Sequence, residues 1–137
     1  MMMKRFLILT MMVLGLGSYA CGQTLRNSNN STLGTISANG EVRNSSNSLV
    51  ARISPNGDVR DSNNHLVARL DGNTVRNSNN STLGTISSDG TVRNSSNSVL
   101  GRIATDGTVR NSNNSVIGYA KGIPTKYAAL YFFFRVF

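Results

Sequence analysis

The chain has 137 residues, of which 39% are hydrophobic and only 15% charged, with no Trp, one Cys, one His and a net charge of +8. That length holds one small domain, and Asn, Ser, Thr and Gly stand in for the charged residues that make up about a quarter of an average globular chain. A zinc site needs about three or four clustered ligands and a nucleophile needs a paired base, so a lone Cys21 and a lone His65 argue against an enzyme. No cofactor and no metal are expected.

Residues 1–22 read as a signal peptide. Lys4 and Arg5 precede an apolar run from Phe6 to Leu16, followed by the small residues Gly17, Ser18 and Ala20. The run is shorter than the roughly 18 to 20 residues needed to span a bilayer, which disfavours a retained transmembrane anchor. Cleavage fits after Ala20 or after Gly22. Cys21, directly after a small residue, is a lipidation candidate similar to the acylated Cys of bacterial lipoproteins, although Ser18 stands where that signal usually has Leu. The expected localisation is therefore exported: periplasm, cell surface or extracellular. Without Lys4 and Arg5 the mature chain keeps 12 basic and 6 acidic residues, and no disulfide is available to hold it.

From residue 23 to 122 the sequence repeats. Six units begin at Thr24, Glu41, Asp58, Thr74, Thr91 and Thr108, and their third positions are Arg26, Arg43, Arg60, Arg76, Arg93 and Arg110, at spacings of 17, 17, 16, 17 and 17. The second position is apolar (Leu25, Val42, Val59, Val75, Val92, Val109), as are the tenth (Leu33 to Ile117) and the thirteenth (Ile36 to Ala120). Two short β-prone runs per unit, separated by Asn-Ser and Asx-Gly turns, predict a hairpin. Ser54-Pro55-Asn56-Gly57 fits a type I turn with Gly in the left-handed position, which sets Ile53 opposite Val59. In the short unit a two-residue Gly72-Asn73 loop still sets Leu70 opposite Val75. Asn30, Asn47, Asn64, Asn80, Asn97 and Asn114 stand at the other reversals, where positive φ is required.

Two all-β architectures fit: a meander of six tandem hairpins, twisted or rolled into barrel-like closure, or a β-solenoid with one coil per repeat. A solenoid would stack the six Arg at ~4.8 Å, costing about 0.9 kcal/mol per pair even in water. A meander doubles that spacing and uses the Asx-Gly turns, so it is preferred. Strict alternation puts the tenth position on the wrong face unless the small residue beside it (Gly34, Ala51, Ala68, Gly84, Gly101, Gly118) marks a bulge.

The composition changes over residues 123–137, where Pro124, Ala128-Ala129-Leu130 and Phe132-Phe133-Phe134 predict a short apolar helix from about Pro124 to Phe134 that caps the array. An outer-membrane barrel is disfavoured, since its strands need about 9 to 11 residues with an apolar outer band. The repeat runs are shorter and rich in Asn, Ser and Arg.

Gly90-Thr91-Val92-Arg93-Asn94, Leu100-Gly101-Arg102-Ile103 and the Ala-Ala, multi-Phe tail together resemble short tandem hairpin repeats of uncharacterised secreted bacterial proteins. The likeness covers residues 24–137 and implies architecture, with no known reaction. The expected function is a non-enzymatic structural or binding module of the cell envelope; the alternative is an accessory or inhibitor-like domain that captures an anionic partner. The candidate surface is the Arg column, Arg26, Arg43, Arg60, Arg76, Arg93 and Arg110, reinforced by Arg52, Arg69 and Arg102 at the twelfth position. Its partner class is an anionic polysaccharide or envelope component, set against a plain role in solubility and edge protection. Sequence-specific nucleic-acid binding lacks stacking aromatics in the repeats, Thr positions form no unbroken ice-binding ladder, and the Asp residues sit at turns. His65 reads as a substituted loop residue. Self-association through sheet edges stays open.

Overall fold

The computed structural model describes residues 23–137; the expected signal peptide and Cys21 lie outside the described residues. The strands are β1 (Gln23–Asn27), β2 (Thr32–Ile36), β3 (Glu41–Asn44), β4 (Leu49–Ile53), β5 (Asp58–Asp61), β6 (Leu66–Asp71), β7 (Thr74–Asn77), β8 (Thr82–Ile86), β9 (Thr91–Asn94), β10 (Val99–Ile103), β11 (Thr108–Asn111) and β12 (Val116–Tyr119). Each pairs antiparallel with its sequence neighbour, and β12 pairs with β1, so the meander closes into a barrel. A solenoid would pair successive coils in parallel; its place is taken by hairpins throughout.

Period-2 alternation aims one face of every strand inward. Leu25, Val42, Val59, Val75, Val92 and Val109 are all fully buried, and Ile36, Ile53, Ile86 and Ile103 join them. The pairings Ile53 with Val59 and Leu70 with Val75 are those the turn chemistry predicts. The expected bulge is present in all six units, at the tenth position beside the small residue. Leu25 pairs with Gly34 and Arg26 with Thr32, so Leu33 is the extra residue. Val50, Val67, Leu83, Leu100 and Ile117 are skipped in the same way. A bulged residue escapes the alternation, and these six pack against the core at its rim.

The two ends of the barrel use different left-handed residues for a physical reason. At one end the reversal is Asn, with φ of 68 to 71° in all six copies. The preceding Asn or Asp side chain accepts two backbone amides there, as Asn44 Oδ1 does from Ser46 and Ser48 at 2.9 and 3.0 Å. At the other end the turns interlock. The carbonyl of Gly40 accepts the amide of Ile53, that of Gly57 the amide of Leu70, and that of Gly90 the amide of Ile103. A Cβ on Gly40 would collide with the Ile53 carbonyl, so the crowded end excludes Asn, whereas the open end accepts it.

Twelve strands enclose more space than their own short side chains fill, since about eight strands already give a bore that side chains just pack. The C-terminal segment occupies that space. Helix α1 (Thr125–Ala129) is continued by a π-helical turn, Leu130–Phe134, which ends at Arg135 in the left-handed region with φ 50°. The span agrees with the sequence reading; the change from α to π hydrogen bonding was not foreseen. The segment enters beside the Gly turns, where Lys126 Nζ donates to the Gly72 carbonyl at 2.7 Å. Ala128, Ala129 and Leu130 are fully buried, and Phe132 is nearly so. The rings of Phe134, Phe133 and Phe132 lie against Gly84, Gly101 and Gly118 in turn. A Cβ at any of the three would crowd a carbonyl of the neighbouring strand as well as the ring; Ala51 and Ala68 hold the equivalent position elsewhere, so the strand can adjust to a methyl, and the ring adds to the demand for Gly at these three.

Candidate functional site: the outer basic row

The outer face carries the Arg column. Each third-position Arg donates from Nη1 to the carbonyl of the left-handed Asn four residues on: Arg26 to Asn30, Arg43 to Asn47, Arg60 to Asn64 and Arg110 to Asn114 at 3.1 Å. Arg93 reaches Asn97 at 3.3 Å and Arg76 reaches Asn80 at 3.4 Å. One function of the column is therefore local: it satisfies the carbonyl that the reversed turn turns outward. The twelfth-position Arg52, Arg69 and Arg102 sit directly across from Arg60, Arg76 and Arg110 on the next strand. Like charges in that relation repel.

Carboxylates relieve the repulsion on one side only. Glu41 pairs with Arg43 at 3.2 Å and Arg52 at 3.4 Å; Asp58 pairs with Arg69 at 3.1 Å and Arg60 at 3.7 Å; Asp71 pairs with Arg76 at 3.5 Å. Residues 41–76 thus hold five Arg against four carboxylates, whereas the other described residues hold seven Lys and Arg against two. Among the described residues Arg93, Arg102, Arg110 and Arg26 have no carboxylate within 4.0 Å. They follow one another along β9, β10, β11 and, across β12, β1.

The two carboxylates in this sector belong to turns. Asp89 accepts the amide of Thr91 and Asp106 that of Thr108, each at 3.0 Å. These hydrogen bonds hold both acids below their ordinary value of 3.8, with a smaller contribution from the charges of Arg102 and Arg110 respectively. Asp61 is lowered likewise, first by the amide of His65. His65, in its loop, brings Nδ1 to 3.6 Å from Asp61 and is otherwise well exposed. Among the described residues no three His, Cys, Asp or Glu side chains gather to hold a metal ion.

One cleft in this sector was not foreseen from the sequence. The β12–β1 seam is the one junction between neighbouring hairpins without an Asx-Gly turn, because the chain leaves β12 to start the plug. Beside it opens a cleft of about 620 Å³ lined by Gln23, Thr24, Arg26, Asn30, Asp106, Thr108, Tyr119, Lys121 and Gly122. Tyr119 stands at the twelfth position, where other units have Thr35, Arg52, Arg69, Thr85 and Arg102, and it is the only aromatic residue in the described strands. That break in the repeat was the available signal. Tyr119 faces Arg26 on one side and Thr108 on the other.

No curated protein and no solved structure matches the chain. The sequence model of a family described as "5-fold beta-flower protein" matches residues 22–135. The present barrel is built from six hairpins. With nearly the whole of its repeat array and plug inside that match, this tandem β-hairpin chain belongs to the 5-fold beta-flower protein family.

Proposed function

We propose that the chain is an exported, non-enzymatic module of the bacterial envelope and that its outer sector from β9 round to β1 binds an anionic polymer such as an acidic polysaccharide. The observation that carries this reading is the group Arg93, Arg102, Arg110 and Arg26 on β9, β10, β11 and β1, with Arg102 directly across from Arg110, cations without an ion-pair partner among the described residues. An extended polyanion offers them what Glu41, Asp58 and Asp71 supply to the other half, and it would gain affinity by relieving their repulsion. Protection of sheet edges explains the row poorly, because a closed barrel has no edge to protect.

The test is retention of the purified protein on immobilised polygalacturonate across a salt gradient. Screening makes exposed charge pairs weaken with salt, so retention falls steeply as salt rises. The triple variant Arg93→Gln, Arg102→Gln, Arg110→Gln elutes much earlier, while Arg43→Gln, Arg60→Gln, Arg76→Gln, which removes the same charge from the compensated half, shifts elution far less. Equal shifts would reduce the effect to net charge, and absence of retention would refute the reading. Export is tested by mass spectrometry of the mature N-terminus after expression in a Gram-negative host. The expected product starts at Cys21 or Gln23, or carries a lipid on Cys21; an intact Met1 retained in the cytoplasm refutes it.

A further inference from the structure

We propose that the seam cleft is a binding site for a single acidic sugar residue, the unit at which the barrel grips a polyanionic chain. The inference rests on the polymer reading above and adds to it a position and a ligand class.

The cleft exists because the ring of repeats is closed by strand pairing rather than by a turn. At every other junction between hairpins an Asx-Gly or Gly72-Asn73 loop fills the corresponding space, and its carbonyl accepts an amide of the next hairpin. At the seam a different turn, residues 120–123 with Gly122 at φ 79°, stands beside the cleft, and four of the residues that line it depart from the repeat. Tyr119 supplies the one aromatic surface on the described strands, Lys121 follows the last strand, and Gln23 and Gly122 come from the two ends of the array. About 620 Å³ is ample for one or two sugar rings.

The chemistry of the lining is mixed in a way that suits a sugar acid better than a bare anion. Arg26 and Lys121 are cations without a carboxylate within 4.0 Å among the described residues, and a guanidinium matches a carboxylate in a two-pronged geometry. Arg26 spends Nη1 on Asn30 and Thr32, which fixes its side chain and leaves its other nitrogens to a ligand. Asp106 is held ionised by the Thr108 amide, so it accepts hydroxyl protons, which a sugar ring supplies and a bare anion does not. Thr24, Thr108 and Gln23 add neutral donors and acceptors, and the half-buried Tyr119 offers a ring face and a hydroxyl. A ring with one carboxylate and several hydroxyls uses all of these groups.

The experiment is a titration of isotopically labelled, purified protein with a galacturonate trisaccharide and with a neutral galactose trisaccharide, followed by NMR. The acidic sugar shifts the signals of Thr24, Thr108, Tyr119 and Lys121 saturably, and the neutral one binds at least tenfold more weakly. Tyr119→Ala and Lys121→Gln each weaken the acidic trisaccharide at least fivefold, with an unchanged amide spectrum elsewhere showing that the barrel is intact. Both variants weaken the salt-dependent retention on polygalacturonate without abolishing it, because Arg93, Arg102 and Arg110 remain. If retention persists but the trisaccharide shifts spread along β9 to β11 or do not occur, or if the neutral sugar binds equally well, the seam inference fails and the polymer reading stands. If neither retention nor trisaccharide binding is seen, both fail.

Discussion

Arg110 donates from Nη1 to the carbonyl of Asn114, the residue that reverses the chain with φ 69°, at 3.1 Å. The same bond recurs in every repeat, so the sequence pairing of Arg with an Asn four residues later is a turn device before it is a binding feature. Arg110→Gln is expected to cost about 0.5 kcal/mol, the low end for an exposed hydrogen bond. Asn114→Ala costs about 1 to 2 kcal/mol, because a Cβ without a polar group is disfavoured in the left-handed region, and Asn114→Gly costs much less. Urea unfolding of the three variants gives that order.

Gly101 and Phe133 form a fitted pair. Gly101→Ala drives a methyl into the Phe133 ring and is expected to destabilise by about 1 to 3 kcal/mol. A methyl at Gly34 would meet the Arg43 carbonyl, as one at Gly101 meets the Arg110 carbonyl, but no aromatic ring, so Gly34→Ala costs less. A double-mutant cycle of Gly101→Ala with Phe133→Leu checks the cause: the two losses should fall short of adding, by roughly 1 kcal/mol.

Removal of the plug tests whether the barrel stands without it. A chain stopped at Gly122 loses Ala128, Ala129, Leu130 and Phe132 from the core. It is expected to unfold or aggregate by circular dichroism and light scattering, while the full chain is a β-rich monomer. Leu130→Ala, which opens a cavity at a fully buried site, should cost about 2 to 5 kcal/mol. Equal folding of both chains would make the tail dispensable.

Acid should loosen specific turns. Asp61, Asp89 and Asp106 have folded values below their ordinary 3.8. Their stabilisation is therefore complete above 3.8 and is lost as the pH falls through the lowered folded values. Asn39 and Asn56 accept the corresponding amide bonds in sister turns, so the double variant Asp89→Asn, Asp106→Asn keeps the turns. Its urea midpoint should match the parent at neutral pH within experimental error and fall less than the parent's below pH 3.8.

The pairing of Ile53 with Val59 and the reversal at each Asn were legible because both depend on contacts within a few residues. The bulge was legible too, because the small residue beside the tenth position stands directly next to the point where the ladder slips. What stayed hidden depends on distant neighbours. Glu41 and Asp58 stand two residues before Arg43 and Arg60, so that half of the compensation is local, but their hold on Arg52 and Arg69, eleven residues away, depends on cross-strand proximity. The role of Tyr119 was hidden for the same reason: its partner Arg26 lies at the far end of the sequence.

The pairing of β1 with β12 also sets the order in which the molecule can be built. Every other strand pair joins sequence neighbours and can form as soon as its hairpin exists, so most of the sheet has the low contact order of fast-folding topologies. The seam joins the first strand to the last and waits for all six repeats. Until it closes, the chain is an open crescent with two bare β-edges, each a template for the complementary edge of another copy. The rate at which β12 finds β1, set against the concentration of other crescents, decides between a closed monomer and a swapped chain of barrels.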